Sequence, residues 1–471
     1  MNDGWELVIG LEVHSELKTH TKLFCGCRNA FGDEPNTNVC PVCLGLPGSL
    51  PVLNRAAVEL AMRIGGALHC DIRPSLFHRK NYFYPDMPKD YQITQYDEPL
   101  NADGWLEIAD GTRVGIERAH MEEDTGKSTH VSTTGRIHGA DHSLVDYNRA
   151  GVPLVEIVSR PDLRTAEQAR AYVTELRSIL VATGASDGKM EEGSLRVDAN
   201  VSVRRPGEDF GTRCEIKNLN SLRSLGRAID YEAARQIDVI QAGGRVVQQT
   251  RHWNEDEGRT IAGRTKEEAE DYRYFPEPDL VPLAPDKAWI DQVRDGLPVL
   301  PAQRRERLAA AAGVAPGDVA LVVSLDLDAL VLGAIAAGAD PAIALRRAEN
   351  EVAANVDKGR RLAPTVFAKV CEMEASGRLT ATQAKQVLGE LVASGGDPEA
   401  IADAKGFRPL DTDAVASAVD QAIADDPKAW ARYCGGEDKV AGLFVGKVMK
   451  ATGGQADGKA VTALLQARRG G

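Results

Sequence analysis

The sequence has no segment approaching the length of a membrane span. Its opening residues, Met1-Asn2-Asp3-Gly4-Trp5-Glu6, carry neither the basic region nor the apolar run of a secretory leader. These absences predict a cytoplasmic protein. Positive charge is also scarce: 56 Lys and Arg stand against 69 Asp and Glu, a net charge of −13. That balance excludes a general nucleic-acid coat, which relies on cations neutralising phosphates. The chain shows no internal repeat or low-complexity tract. It also lacks a complete phosphate loop. The run Glu122-Glu123-Asp124-Thr125-Gly126-Lys127-Ser128 ends in Gly-Lys-Ser, but position 121 is Met, where a second glycine would let backbone N–H groups wrap the phosphates. What this run does hold is three adjacent carboxylates. They read either as a solvated acidic turn or as hard oxygen ligands for Mg²⁺.

At 471 residues, with 43% hydrophobic and 27% charged residues, the chain is globular and too long for one core. Short alternating runs with Gly, Pro and aromatic loops fill its first part. Ala-rich segments of helical spacing follow from about residue 295, for example Arg304 to Ala311 and Thr382 to Val392. The predicted class is α+β: a mainly antiparallel-sheet domain over 1–294, a helical domain over 295–405 and a small all-α tail over 406–471. Helices predicted over Ala166 to Val181 and Leu222 to Gln241 pack on the sheet. A helix of that tail is expected to start near Pro409 and Asp411. From Lys439 onward, six basic residues face one acid, Asp457. This is either a local nucleic-acid contact or a solvated helix face.

Eight cysteines in a cytoplasmic chain do not make a disulfide framework. Cys25 and Cys27, then Cys40 and Cys43, form two close pairs whose spacing can bring four thiolates around one structural Zn²⁺; reduced surface thiols are the alternative. Three candidate strands carry polar groups in alternation. In Glu6 to Leu17 the period of two sets Glu12 and His14 on one face and Leu11 and Val13 on the other. Arg196, Asp198 and Asn200 alternate with Val197, Ala199 and Val201, and Arg213, Glu215 and Lys217 with Cys214 and Ile216. A sheet face of mixed charge is costly unless it is solvated or used for a polar ligand. Glu156, a lone acid in the run Val155-Glu156-Ile157-Val158, needs a partner, and a cation is the simplest. The stiff aromatic loop from Arg79 to Lys89 holds Lys80 and Lys89 in place.

Together Val8 to His14, Arg79 to Gln92, His120 to Thr129, Asp146 to Ser159, Lys189 to Asn200, Glu215 to Ser221 and Asp271 to Val281 resemble the B subunit of the Asp/Glu-tRNA amidotransferases, the GatB family. The tail Gly442 to Lys450 resembles that family's YqeY-like C-terminal domain. The resemblance implies a cradle-shaped catalytic domain that phosphorylates the side-chain carboxyl of Glu on tRNA-Gln, or Asp on tRNA-Asn, with ATP and Mg²⁺. Ammonia from a separate amidase (glutaminase) subunit, with a small linker subunit completing a heterotrimer, then forms the amide. By the same resemblance His14, Glu123 and Glu156 hold Mg²⁺, with Glu12 and Glu122 catalytic beside them together with Glu123. Lys80 and Lys89 line the ammonia route. Arg196, Asp198, Glu215 and Lys217 bind nucleotide and substrate, and the tail, with Lys447, Lys450 and Lys459, grips tRNA. The four cysteines match a zinc knuckle found in some members. Two departures stand out: Arg160 precedes Pro161 where many members have an acid, and the segment Ile343 to Val356 has Arg346 and Arg347 but no tryptophan. The chain carries no Gly/Ser-rich amidase signature, so glutamine hydrolysis must come from the partner. The competing functions are a ligase acting on a free carboxylic acid and a noncatalytic tRNA-binding scaffold.

Overall fold

The computed structural model describes residues 4–131, 141–263, 269–407, 412–452, 456 and 458–470. The chain divides into two compact units, Met1–Pro301 and Ala302–Gly471.

The first unit is built on one large sheet. In chain order its strands are β1 (Glu6–Glu16), β2 (Asp71–Ile72), β3 (Phe77–Asn81), β4 (Tyr91–Gln95), β5 (Asn101–Glu107) and β6 (Arg113–Glu123). After a separate hairpin of β7 (Lys127–Val131) and β8 (His142–Asp146) come β9 (Pro153–Ser159), β10 (Leu195–Arg204), β11 (Cys214–Leu219), β12 (Thr250–Asn254), β13 (Arg259–Ala262) and β14 (Phe275–Pro276). The spatial order is β13-β12-β11-β10-β1-β9-β6-β4-β3-β14, with β5 also beside β6. Every pairing is antiparallel except β11 with β12.

One face of this sheet is apolar. Leu11, Val13, Ile157, Met121 and Val197 are all at most 2% exposed, and they pack in one core with residues of α1 (Arg55–Ala67), α2 (Ala166–Ala182) and α3 (Leu222–Gln241). The side chains of Asn54, Thr165 and Ser221 cap these helices by accepting first-turn N–H groups. In α2, Ala169, Tyr172, Val173, Leu176, Ile179 and Leu180 are buried at three-to-four spacing. Both predicted helices therefore form, α2 one residue longer than expected. With its inner face closed by helices, the sheet leaves its other face for polar groups.

The second unit is helical throughout its described residues. One core gathers residues from Leu308 to Ala402 and a separate one residues from Val415 to Leu465. In the first of these, Arg347 is 4% exposed and held by Glu374 (2.7 and 2.9 Å) and Glu351 (3.2 Å). Arg346 shares the same Glu374 at 2.6 Å, so both arginines serve the helical core. The second core comprises helices Thr412–Ala424, Pro427–Cys434, Ala441–Ala451 and Gly458–Gly470. Pro409 and Asp411 lie outside the described residues.

Candidate active site

The register across four strands assembles the polar face. His14 on β1 stands opposite Glu156 on β9 and Arg196 on β10, and Glu156 stands opposite His120 on β6. Arg196, His14, Glu156 and His120 thus form one row across the sheet. One rung along, Glu16, Leu154, Glu122 and Thr94 form the next. Where the rows adjoin, the His14 Nε2 lies 3.6 Å from Glu156 Oε2 and 4.0 Å from Glu122 Oε1. His120 Nε2 lies 3.4 Å from Glu156 and 3.9 Å from Glu122. One ligand atom each from His14, Glu122 and Glu156 falls within 4.8 Å of the others.

These groups hold one another in particular charge states. Burial works against the His14 imidazolium, but the hydrogen bond and charge of Glu156, then Glu122 and Asp198, raise it to about 9. His120 goes the other way, lowered to about 4 chiefly by burial. Burial, then repulsion from Glu156, raises Glu122 to about 7. Glu156 is also pushed up by burial, yet His120 and His14 outweigh that and keep it well below the carboxylate range. His120 Nδ1 is buried with no hydrogen-bond partner among the described residues. Once His14 gives up its proton, the site offers two carboxylates and an imidazole to a cation.

A second cluster lies one pleat repeat along β1, about 7 Å by strand rise. Here Glu12, Asp198 and Glu215 again bring one ligand atom each within 4.8 Å of the others. Asn200 donates to Glu12 at 2.9 Å, and Thr250 to Glu215 at 3.0 Å. Lys217 Nζ sits between Asp198 (2.6 Å) and Glu215 (3.2 Å). Burial opposes its charge, but Asp198 and Glu215 raise its pKa far above the ordinary lysine range. A cavity of about 330 Å³ opens onto His14, Glu122, Glu156, Arg196, Lys217 and Lys80, and one of about 450 Å³ onto Gly10, Glu12, Asn200, Ser202, Phe210 and Arg213.

The three adjacent carboxylates of the acidic run part company. Glu122 joins His14 and Glu156, whereas Glu123 points to the other side of β6. There it is 2% exposed, accepts from the Ile93 N–H at 2.8 Å and pairs with the ammonium of Lys89. Asp124 is taken by Arg196 (2.7 Å) and Arg149 (3.6 Å). Lys80 and Lys89 are likewise separated, since Lys80 lines the cavity over Glu156 and lies 4.6 Å from the Tyr272 ring. Sequence reasoning gave His120 no role and Asp124 only a place among the three carboxylates of the acidic run. The period of two that flagged Glu12 and His14 also links His120 to Glu122. Arg160 pairs with Asp103 at 3.0 Å.

Glu16 gives the face a pH signature. Burial, then the neighbouring Asp124 charge, raises its pKa to about 8, with Arg196 and Arg149 pulling the other way. The folded chain then binds a proton there that the unfolded chain releases near the ordinary carboxylate value. This term weakens stability as pH rises from about 4.5 to about 8. Glu16→Gln should remove that decline, so that the thermal midpoint of the variant gains on the parent between pH 5 and 8 in paired melts.

The Gly-Lys-Ser end of the acidic run forms no phosphate cradle, because Lys127 and Ser128 lie on β7. The cysteines do converge. The Sγ atoms of Cys25, Cys27, Cys40 and Cys43 all lie within 4.8 Å of one another, with Cys40 and Cys43 at 3.9 Å. That separation is far beyond a disulfide bond and close to the roughly 3.8 Å edge of a tetrahedral zinc tetrathiolate. The Cys40 N–H donates to Cys43 Sγ at 3.1 Å. In the tail, Lys447 pairs with Asp426 (2.8 Å), Arg468 with Asp420 (2.9 Å) and Arg469 with Asp438 (2.6 Å). Lys450 ends helix Ala441–Ala451, and the side chain of Lys459 lies outside the described residues. Residues 406–471 carry nine basic and eight acidic side chains. The folded tail is therefore nearly neutral, with three of its cations turned onto acids of earlier tail segments.

Comparison with known proteins gives the same reading over the whole length. The family described as the GatB/GatE catalytic domain matches residues 7–291, and the GatB domain matches residues 334–468. The chain is 52% identical to the B subunit of the aspartyl/glutamyl-tRNA(Asn/Gln) amidotransferase of Frankia casuarinae, across 99% of this chain and 96% of that protein. It is 52% identical to the protein of that name from Salinispora arenicola (99% and 97%) and 49% identical to the one from Streptomyces coelicolor (99% and 96%). Matched from end to end in this way, the chain belongs to the GatB family.

Proposed function

We propose that this chain is the B subunit of a tRNA-dependent amidotransferase. It works in a heterotrimer with an amidase subunit and a small linker subunit, converting Glu-tRNA(Gln) or Asp-tRNA(Asn) to the amide. The observation that carries this reading is the pair of ligand clusters, His14/Glu122/Glu156 and Glu12/Asp198/Glu215, side by side on one open polar sheet face. Each offers the oxygen-rich set that Mg²⁺ takes up together with waters and phosphate oxygens. Mg²⁺, when bound, supplies positive charge against the phosphates.

The chain's own residues do the rest. The larger cavity has the size of a small-ligand site, and Phe210 and Arg213 beside Gly10 offer a flat and a cationic contact for a nucleotide. Lys217, locked as a cation by Asp198 and Glu215, stands at the phosphate end. Arg196 and Lys80 flank the place where the substrate carboxylate must come. Phosphoryl transfer brings anions together, so cations fixed in advance lower the barrier more than mobile ones would. The substrate carboxylate oxygen bonds to the γ-phosphorus as ADP leaves. Ammonia then attacks the carbonyl carbon, and phosphate departs with that oxygen. Ammonia reaches this face past Lys89 and Lys80, with the buried Lys89–Glu123 pair on its way. The four cysteines hold a structural zinc, because four thiolates leave no open coordination position.

The tail and helical domains grip tRNA. Given the tail's internal ion pairs, removal of residues 406–471 should weaken tRNA binding while lowering its salt slope by only about one to three, the number of phosphates so few available cations can neutralise. The test of the whole reading is conversion by the assembled heterotrimer. With ATP and glutamine, misacylated tRNA should yield Gln-tRNA(Gln) or Asn-tRNA(Asn). Amidation of free glutamate or aspartate instead would assign the chain to small-molecule ligation, and tight tRNA binding without ATP cleavage would leave only a scaffold.

A further inference from the structure

Residues 17–54, between β1 and α1, contain no helix or extended strand, an uncommon length for irregular chain inside a compact unit. This segment holds all four clustered cysteines; it runs against Lys89 and borders Gly151, the residue beside Glu123. Gly45, two residues beyond Cys43, runs against Lys89: a Cβ there would lie 2.4 Å from Lys89 Cγ and 3.0 Å from its Cα. The φ of +67° at Gly45 is what lets the turn close so tightly. That turn is fixed within the knuckle, where Leu44 N–H donates to Cys40 O (3.1 Å), Gly45 N–H to Val42 O (3.1 Å) and Leu46 N–H to Pro41 O (2.9 Å).

On the Glu123 side, three side chains meet at Gly151. A Cβ there would lie 3.6 Å from Cys43 Cβ, 3.6 Å from Lys22 Cδ and 3.7 Å from Glu123 Oε2. Lys22 is wholly buried, and its ammonium donates to the Tyr147 carbonyl at 3.1 Å. The Gly151 N–H donates to Asp124 O, and its carbonyl accepts from Leu23 N–H, both at 2.9 Å. The chain just after Glu123 is thereby laced to the stretch leading into Cys25.

We propose that the Cys25/Cys27/Cys40/Cys43 knuckle, closed on a metal ion, sets the position of the buried Lys89–Glu123 pair, with Gly45 and Lys22 as the positioning residues. The knuckle supplies Lys89 with a backbone wall and, through Cys43, packs on the Gly151 corner that lies beside Glu123. Leu17, Leu23 and Phe24 anchor the start of this segment in the core, and the Asn36 and Asn38 N–H groups donate to Asp146 and Asn148, so a metal closing the knuckle adds its constraint chiefly to the turns between Cys40 and Leu46. The consequence for ammonia delivery rests on the function proposed above. The structural coupling does not.

The coupling is read by lysine acetylation and hydrogen exchange on the full chain, zinc-loaded and then stripped with a chelator. Stripping should raise Lys89 labelling about tenfold, a mid-range coupling, and speed exchange of the Ile93 amide that Glu123 accepts. Lys80 and the α2 and α3 peptides should be unchanged, and zinc should reverse the effect. If stripping also exposes α2 and α3, the zinc-loaded Gly45→Ala variant decides, since its added Cβ must displace Lys89 while the fold retains its metal. Unchanged Lys89 labelling and Ile93 exchange in the deciding sample would overturn the proposal. In the heterotrimer, a displaced Lys89 should lower glutamine-dependent amidation more than amidation driven by added ammonium. Equal losses, with Lys89 displaced, would keep the positioning and remove Lys89 from the ammonia route.

Discussion

Glu156→Gln is expected to lower the amidation rate by about 10² to 10³-fold, the scale at which loss of one fixed electrostatic group in an active site is felt, while the chain stays folded. Glu156 is the centre of its row: its carboxylate faces His14 at 3.6 Å and His120 at 3.4 Å, and it remains ionised despite burial. The amide keeps the shape and removes the charge. Two effects should appear together. Mg²⁺ activation should shift to higher concentration, because the cluster loses one of its two carboxylates. The Michaelis constant for tRNA should change little if, as proposed, the helical and tail domains hold the tRNA body. A Mg²⁺ titration of the rate at saturating tRNA, with a thermal melt of the same sample, separates these. A folded variant with parent-like Mg²⁺ dependence and rate would remove Glu156 from the site.

The second large effect is on stability. Lys89 and Glu123 side chains are 6% and 3% exposed, so either residue neutralised alone leaves the other as an uncompensated buried charge. Lys89→Met and Glu123→Gln should each cost about 3 to 5 kcal/mol, whereas the double variant should cost less than either. Against a typical total of about 5 to 15 kcal/mol, the single variants should melt well below the parent and the double variant should recover much of the loss. Denaturant melts of the four chains give the coupling directly. Additive losses would show that the pair is solvated in solution.

Much of the site was legible because it depends on strand periodicity. Glu12 and His14 fell on the polar face, and Asp198, Glu215 and Lys217 met there even though the β10–β11 register shifts between Val197 and Ala199. The acidic run was harder. Strict alternation from the buried Val114 and Ile116 would put Glu122 with the core and Glu123 on the polar face. The register shifts between Ile116 and Arg118, and the core phase continues through Ala119 and Met121 instead. That bulge exchanges the two glutamates, so the structure groups Glu122, not Glu123, with His14 and Glu156. Nothing local in the sequence marks it. The contacts of Gly45 with Lys89 and of Lys22 with the Gly151 corner were also hidden, because they join segments far apart in the chain. The basic tail looked more cationic than the folded domain is, since Asp420, Asp426 and Asp438 lie outside or at the edge of the apparent patch yet pair with its cations.

On the proposed function, the polar face activates a carboxylate by phosphorylating it and then exchanges phosphate for ammonia. Misacylated tRNA carrying ¹⁸O in the side-chain carboxyl, turned over by the heterotrimer with ATP and glutamine, tests this directly. One ¹⁸O should appear in inorganic phosphate for each amide formed. Label found in AMP, or phosphate free of label while amide accumulates, would contradict it.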